Sequence, residues 1–165
     1  AEDPAAAVAS AQALFIGGGN TFRLLNHLYR LDLLDPIRER VAAGMPYIGT
    51  SAGSNVACLS IKTTNDMPIV YPPSFDGLQL VPIHLNPHFI DPPAGSEHMG
   101  ETRETRIREF HEVNDEVVIG IREGALLRVD GNAMHLEGMR GGVIFQRGQA
   151  RRDIEPGADL SEFLG

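Results

Sequence analysis

The sequence predicts an α/β fold, in which a mostly parallel sheet lies between helices and antiparallel hairpins follow toward the C-terminus. Two patterns lead to this fold class. Short apolar runs alternate with segments of helical periodicity in the first part of the chain, whereas short apolar runs separated by turn residues follow one another from Val117 onward. The 165 residues, of which 42% are hydrophobic, suffice for a core, so residues 1–165 are expected to form a single domain.

The first strand is predicted at residues 13–16. This apolar run ends at the glycine turn "GGGN", and the next segment, "NTFRLLNHLYR", has its apolar residues at helical spacing. A second helix is predicted in "DPIRERVAAG", where Pro36 suits the first helical turn and Gly44 a C-terminal cap. Residues 45–48 then form the second strand and residues 55–60 the helix behind it.

Later segments complete the predicted sheet. In "LVPIHLNPHF" the apolar residues before Asn86 are typical of a strand, and "GETRETRIREF" places Ile107 and Phe110 on the buried side of a helix. The runs "VVIGI", "ALLRV", "AMHLE" and "GVIFQ" predict strands and hairpins. Functional groups should gather at the carboxyl ends of the parallel strands.

The net charge of −8 argues against a nucleic-acid ligand and against an anionic membrane, both of which attract positive surfaces. No apolar run approaches the roughly 18 residues of a membrane span. The N-terminus also lacks the basic start of a secretory signal. We therefore expect a cytoplasmic protein with no nucleic-acid or membrane partner. The single cysteine, Cys58, allows no internal disulfide and is expected to be a small buried residue.

The motif "GTSAG" places Ser51 between Gly49 and Gly53, after a predicted strand and before a predicted helix. Glycines at these positions permit a tight turn from which a nucleophilic serine projects, and the N-terminus of the next helix offers N–H groups to an oxyanion. The other interpretation of Ser51 is a small residue in a glycine-rich loop. The pattern alone leaves both open.

A nucleophilic serine needs a base, and the sequence favours His88. His88 follows Pro87 just beyond a predicted strand end, where such sheets present catalytic groups, so it is preferred to His84. A metal site at His84 and His88 is disfavoured, because Pro82 and Pro87 prevent a helix that would bring both onto one face. The remaining histidines are interpreted as surface or packing residues: His27, His98, His111 and His135.

The acid that orients the base is predicted to be Glu123 or Asp66. Glu123 follows the strand "VVIGI", whereas Asp66 lies in the polar segment "KTTNDMP". The alternative for either is a solvated loop acid. Glu123 is favoured because Ser51, His88 and Glu123 each follow a predicted strand.

Five blocks of sequence together resemble one family: "FIGGGNTFRLL", "YIGTSAGSNVA", "TTNDMPIV", "FDGLQLVPIHLNPHF" and "GETRETRIREF". In order and spacing they resemble peptidase E, the cytoplasmic aspartyl dipeptidase family of serine peptidases (family S51), over nearly the whole chain. The resemblance implies a single catalytic domain with a flavodoxin-like fold similar to class I glutamine amidotransferases. The order Ser, His, Glu also differs from the Ser, acid, His order of α/β-hydrolases.

By position, the resemblance implies Ser51 as nucleophile, His88 as general base and Glu123 as orienting acid. Asp66 matches a second acidic position of the family, so it is an alternative triad acid or a substrate-binding residue. No metal and no organic cofactor is expected.

The resemblance also implies an oxyanion hole formed by the backbone N–H groups of Gly19 and Ala52, with Asn20 binding substrate beside them. The alternative for the first glycine turn is a phosphate cradle. That alternative is disfavoured because "GGGNTF" lacks the spacing of a dinucleotide-binding motif and the lysine of a P-loop.

An acidic substrate requires a local cation, and Arg103 in "GETR" is predicted to bind the substrate carboxylate. An arginine guanidinium can form a bidentate pair of hydrogen bonds with a carboxylate. The neighbouring Arg106 and Arg108 are expected to form ion pairs instead, with partners among Glu101, Glu104 and Glu109.

The expected activity is hydrolysis of Asp-X dipeptides. One alternative is cyanophycinase-like cleavage of a β-aspartyl-arginine polymer, and another is a non-catalytic module that binds acidic ligands. Members of the family begin with further strand-helix units. This chain opens on a predicted helix at residues 5–11, so it is expected to lack those units. Two kinds of protein partner are expected as alternatives: a second copy of the chain in a homodimer, or an N-terminal segment supplied as a separate chain.

Overall fold

A computed structural model describes residues 3–92 and 101–165 of the protein. The chain divides into two compact units, Ala1–Val81 and Pro82–Gly165. Within the described ranges no helix is long and apolar enough to cross a membrane.

The first unit combines a pair of parallel strands with four helices. Strands β1 (Leu14–Ile16) and β2 (Tyr47–Gly49) pair in parallel, with Phe15 opposite Ile48. The helices of the unit, in chain order, are α1 (Pro4–Ser10), α2 (Thr21–Arg30), α3 (Leu34–Ala42) and α4 (Ala52–Ala57). Each strand leads into a helix: β1 into α2 through residues 17–20, and β2 into α4 through Thr50 and Ser51.

The core of the first unit forms where α2, α3 and α4 turn their apolar faces inward. Leu25, Leu28, Ile37 and Val56 are buried in one cluster. The helical spacing of the leucines in α2 explains their burial, since residues three apart lie on the same helix face. Gly44 ends the α3 segment with a positive φ of 97°, a conformation that glycine adopts without a Cβ clash.

The second unit contains a mixed sheet in the order β3-β4-β7-β8. Strands β3 (His84–Pro87) and β4 (Val118–Ile121) are parallel, and helix α5 (Arg103–Phe110) lies between them in sequence. The strands that extend this sheet, β7 (Gly142–Phe145) and β8 (Arg152–Ile154), are antiparallel to their neighbours.

A separate hairpin completes the second unit. Strands β5 (Ala125–Asp130) and β6 (Ala133–Gly138) pair with each other around a turn at Gly131, and a 3-10 helix, Ser161–Phe163, comes near the C-terminus. The core of the mixed sheet contains three phenylalanines together with aliphatic residues: Phe89, Ile107, Phe110, Val118, Val143 and Phe145.

The predicted α/β class is confirmed, and parallel pairing is observed for β1 with β2 and for β3 with β4. Two details of the prediction are wrong. The helix predicted at residues 55–60 is α4, Ala52–Ala57, because the turn at Ser51 opens directly into the helix. Strand β8 was not predicted, since "RDI" is short and mostly polar. Cys58 is fully buried, as expected.

Candidate active site

Ser51 lies on the tight turn between β2 and α4. Its backbone has φ 53° and ψ −113°, so a residue with a Cβ occupies a region of conformational space that usually requires glycine. Such strain persists only where the surrounding structure holds it, and it concentrates at functional sites. This is the backbone geometry expected of a nucleophile on a strand-to-helix turn.

The two glycines of "GTSAG" are required by close backbone contacts. A Cβ on Gly53 would lie 2.0 Å from the carbonyl oxygen of Ile16, and a Cβ on Gly49 would lie 2.6 Å from that of Gly53. Neither contact can be relieved by moving a flexible side chain. The motif is therefore explained by packing of the turn against the end of β1.

Two side chains hold the turn from its flanks. The Tyr47 hydroxyl donates to the Gly53 carbonyl at 2.7 Å, and the Ser54 hydroxyl donates to the Gly49 carbonyl at 2.9 Å. Burial raises the pKa of Tyr47, with a smaller contribution from Cys58, so its phenol stays protonated and able to donate. The two hydrogen bonds tie both glycines of the motif.

The Ser51 side chain takes no part in capping α4. Gly18 of the first glycine turn lies close to this side chain, since a Cβ on Gly18 would lie 3.3 Å from Ser51 Cβ and 3.6 Å from Ser51 Oγ. Ala52 begins α4, so its N–H belongs to the amides that have no partner within the helix. Gly19 has φ 133°, a conformation open to glycine. The oxyanion hole formed by Gly19 and Ala52 remains a prediction.

Asn20 and Asp66 hold the start of α2. Asn20 is the N-cap residue, since its side-chain oxygen accepts from the Arg23 N–H at 3.0 Å, while its amide nitrogen donates to the Met67 carbonyl at 2.8 Å. Asp66 Oδ2 accepts from the Thr21 N–H at 2.7 Å and from the Thr21 hydroxyl at 2.6 Å. Both side chains thus have structural partners in the first unit.

His88 and Glu123 are hydrogen-bonded to each other in the second unit. The parallel register sets Pro87 opposite Ile121, so the segments that follow β3 and β4 emerge side by side. The backbone N–H of Phe89 also donates to the Ile121 carbonyl at 2.9 Å. His88 Nδ1 is hydrogen-bonded to Glu123 Oε1, so Nε2 is the ring nitrogen that this pair does not use.

The pair is accessible to a ligand, with 50% of the His88 side chain and 77% of the Glu123 side chain exposed. His88 has φ 57°, so it is also a non-glycine residue in the left-handed region. Of the predicted triad, the structure brings together His88 and Glu123. The approach of Ser51 to His88 remains a prediction.

Arg103 is the first residue of α5, and it is partly buried. Thr102 caps this helix by accepting from the Thr105 N–H at 3.1 Å. The expected ion pairs of the next two arginines are confirmed: Arg106 pairs with Glu101 at 2.9 Å and Arg108 with Glu104 at 2.6 Å. Recognition of a substrate by Arg103 remains a prediction.

The other histidines have varied surroundings. His84 is buried in β3, with its ring 5.0 Å from that of Phe110, and His111 Nε2 lies 3.0 Å from the Glu116 carbonyl. His27 is exposed on α2, His135 lies in β6, and His98 lies outside the described residues. Residues 3–92 and 101–165 contain no group of three His, Cys, Asp or Glu side chains that could hold a metal ion.

Sequence reasoning missed a cluster of charges beside the pair of His88 and Glu123. Arg122 donates to Asp91 at 2.7 and 2.9 Å and to Asp153 at 2.7 Å. Arg151 lies 2.8 Å from Asp91, 3.1 Å from Asp153 and 3.1 Å from Glu104. We call these five residues the ion-pair network. In the sequence, Asp91, Glu104 and Arg122 stand near predicted site residues, whereas Arg151 and Asp153 do not. The contacts join segments that are distant along the chain, so no local pattern indicates them.

The charges of the ion-pair network stabilise one another. Partial burial raises the pKa of Asp91 and Glu104, but hydrogen bonds and charge from their arginine partners lower it by more, so both pKa values lie below the ordinary range. Hydrogen bonding to Arg122 is the largest effect on Asp153, whose pKa is also lowered. All three carboxylates are therefore ionised at neutral pH.

The chain is similar in sequence to known proteins of one peptidase family. Residues 1–137 match the sequence profile of peptidase family S51. The chain is 54% identical over 162 residues to peptidase E of Streptomyces coelicolor, covering 98% of this chain and 67% of that protein. It is 52% identical over 159 residues to a Drosophila melanogaster protein named "Probable alpha-aspartyl dipeptidase", covering 96% of this chain and 66% of that protein.

A solved structure also shares the fold. The crystal structure of a peptidase from an acI-B1 Actinobacterium superimposes with a TM-score of 0.69 at 19% identity, covering 94% of this chain and 62% of that one. The chain thus spans about two thirds of the length of the relatives that it matches.

Proposed function

The chain belongs to peptidase family S51, and on that premise we propose that it is a serine-type dipeptidase that hydrolyses Asp-X dipeptides through an acyl-enzyme on Ser51. The observation that carries the proposal is the strained turn at Ser51, whose φ of 53° is held by two required glycines. The names of the relatives, peptidase E and alpha-aspartyl dipeptidase, support this choice of substrate.

In the first half of the reaction, the Ser51 hydroxyl attacks the peptide carbonyl while His88 Nε2 accepts its proton. Glu123, hydrogen-bonded at Nδ1, orients the imidazole and stabilises its charged form. The N–H groups of Gly19 and Ala52 stabilise the oxyanion. When the tetrahedral intermediate collapses, the C–N bond breaks and the imidazolium protonates the leaving amine.

In the second half, water hydrolyses the aspartyl ester. His88 accepts a proton from the water, whose oxygen attacks the ester carbonyl, and returns a proton to Ser51 Oγ as the C–O bond breaks. The products are aspartate and the free amino acid. No metal or organic cofactor takes part in this scheme.

Recognition of the aspartyl side chain is assigned to Arg103, because a carboxylate in an acidic protein needs a local guanidinium. Asn20 and Asp66 are also assigned to the substrate pocket. Both cap the N-terminus of α2, and we place the pocket beside that end of the helix. Glu123 is preferred to Asp66 as the triad acid, since Asp66 Oδ2 already accepts two hydrogen bonds from Thr21.

Two finer features accompany the proposal. The parallel pairs β1 with β2 and β3 with β4 support an arrangement like that of class I glutamine amidotransferases. The family resemblance supports a cytoplasmic location.

The experiment is hydrolysis of Asp-Leu by the purified protein and by Ser51→Ala and His88→Ala. We expect each substitution to lower kcat by a factor of about 10³ or more while the circular dichroism spectrum is unchanged. His27→Ala, on the exposed face of α2, is the matched control and should retain activity. A Ser51→Ala protein as active as the unsubstituted one would refute the proposal.

A further inference from the structure

The ion-pair network joins the two segments that carry His88 and Glu123. Asp91 lies three residues after His88, and Arg122 directly precedes Glu123. Two nitrogens of the Arg122 guanidinium donate to the same oxygen, Asp91 Oδ2: Nε at 2.9 Å and Nη2 at 2.7 Å. Two donors of one rigid, planar group that converge on one oxygen restrict the orientation of the pair as well as its distance. The ion pair therefore links the two loops just beyond the ends of β3 and β4.

The loop after β3 begins in a strained conformation. His88 has φ 57°, and its side chain is half exposed. Phe89 anchors the loop to β4. Its ring packs so closely on Gly120 that a Cβ on Gly120 would lie 2.6 Å from the Phe89 ring. Beyond Phe89 the chain becomes exposed at Ile90, and Asp91 is the next described residue with polar partners.

Arg122 itself is held on three sides. Besides Asp91, it contacts Asp153 at 2.7 Å and the Gly142 carbonyl at 3.2 Å. Its side chain is only 25% exposed. A guanidinium that is already held by several acceptors loses little conformational entropy when it binds one more. The position of Arg122 can therefore determine the position of the Asp91 loop.

We propose that Arg122 is a positioning residue of the active site, acting through its ion pair with Asp91 to hold the His88 imidazole against Glu123. This proposal rests on the proposed function. The contacts of Arg122 are with Asp91, Asp153 and the Gly142 carbonyl, so its role is to act through Asp91. Arg122 fixes the separation of the two loops, and thereby the direction in which His88 Nε2 points.

Kinetics of Arg122→Gln test this assignment. Because small misplacement of a catalytic group lowers the rate of the chemical step, kcat for Asp-Leu should fall about 10-fold to 100-fold with little change in KM. Arg122→Lys keeps a positive charge near Asp91 but lacks the planar guanidinium. Its kcat should therefore lie between that of the unsubstituted protein and that of Arg122→Gln. The melting temperature is measured for each variant.

Two arginine variants serve as controls. Arg151→Gln removes contacts to Asp91, Asp153 and Glu104 from the same network but leaves the pair of Arg122 and Asp91. Arg147→Gln removes an ion pair with Asp115 elsewhere in the second unit. Both should retain kcat within about threefold, whereas an equal fall in Arg122→Gln and Arg151→Gln would show a general loss of stability and overturn the proposal.

A second readout does not depend on turnover. The ¹⁵N resonances of the His88 imidazole report which ring nitrogen carries the proton. We expect them to change in Arg122→Gln and to stay unchanged in Arg151→Gln. Unchanged resonances in Arg122→Gln would overturn the positioning role. Absence of Asp-Leu hydrolysis in the unsubstituted protein would instead overturn the proposed function, and the resonances would still decide the role of Arg122.

Discussion

The turn at Ser51 leaves no room for a Cβ atom at Gly53. The space that a Cβ would need is taken by the backbone carbonyl of Ile16, at 2.0 Å, and not by a movable side chain. Gly17, in the first glycine turn, differs, since its Cβ would meet only the Phe15 ring, at an ordinary 3.6 Å. Two glycines of the same unit therefore have opposite tolerance for a methyl group.

We expect Gly53→Ala to lower the free energy of unfolding by about 1–3 kcal/mol, because β1 or α4 must move to admit the methyl group. Hydrolysis of Asp-Leu should be lost with it, since the turn at Ser51 moves too. Urea unfolding monitored by circular dichroism measures the first effect and an activity assay the second. Gly17→Ala is the control and should change stability by less than about 1 kcal/mol. Equal stability of the two variants would contradict the contact at Gly53.

The residues of this turn were predictable only in part. Gly49, Ser51 and Gly53 form a local motif, so spacing alone indicated the turn. Tyr47 was missed, because its role depends on a hydrogen bond to Gly53 that exists only once the turn has folded. Asp66 was predicted as an alternative triad acid or a substrate-binding residue, but its capping role was missed, because its partner Thr21 is 45 residues away.

The start of α2 shows how an element depends on a distant loop. The first amides of a helix have no partner within it, and here Asn20 and Asp66 accept two of them. A carboxylate near a helix N-terminus also interacts favourably with the helix dipole. The loop of Asp66 is therefore part of the helix cap.

Asp66→Ala should lower the free energy of unfolding by about 1–2 kcal/mol, the typical effect of losing an N-terminal cap. Glu123→Ala removes an exposed carboxylate and should cost less stability while lowering kcat more. Glu39→Ala, an exposed change on α3, is the control for charge loss. Thermal unfolding and Asp-Leu kinetics of the three variants separate the two roles. A larger fall in kcat for Asp66→Ala than for Glu123→Ala would favour Asp66 as the triad acid.

Elements with strong local patterns were predicted, and those without were not. The apolar spacing of α2 and the glycine-bounded runs of β1 and β4 led to correct assignments. Strand β8 has three residues, two of them exposed and charged, so only its pairing with β7 reveals it. The ion-pair network joins Asp91 to Arg122 across 31 residues, and no periodicity encodes such a contact.

Acid titration distinguishes the two units of the molecule. Among the described residues, the carboxyls with a lowered pKa are Asp91, Glu104, Asp153 and Asp159, and all lie in the second unit. A lowered pKa means that the folded state binds fewer protons than the unfolded state near pH 4. The resulting stability is present above the ordinary pKa, about 3.8 for Asp and 4.5 for Glu, and is lost as the pH falls through the lowered values.

We expect β4 and β7 to lose more hydrogen-exchange protection than α2 and α3 between about pH 6 and about pH 3, after correction for intrinsic exchange rates. The reason is that protonation removes the partners of Arg122 and Arg151. Arg151→Gln should show a smaller difference, since part of the network is already absent. An equal loss of protection in both units of the unsubstituted protein would contradict this expectation.

The turn at Ser51 has one more consequence. Its shape is set by glycine contacts and by the hydroxyls of Tyr47 and Ser54, whereas the Ser51 side chain makes no capping hydrogen bond to α4. We therefore expect that a thiol or a hydrogen atom can replace the Ser51 hydroxyl without altering the fold of the turn.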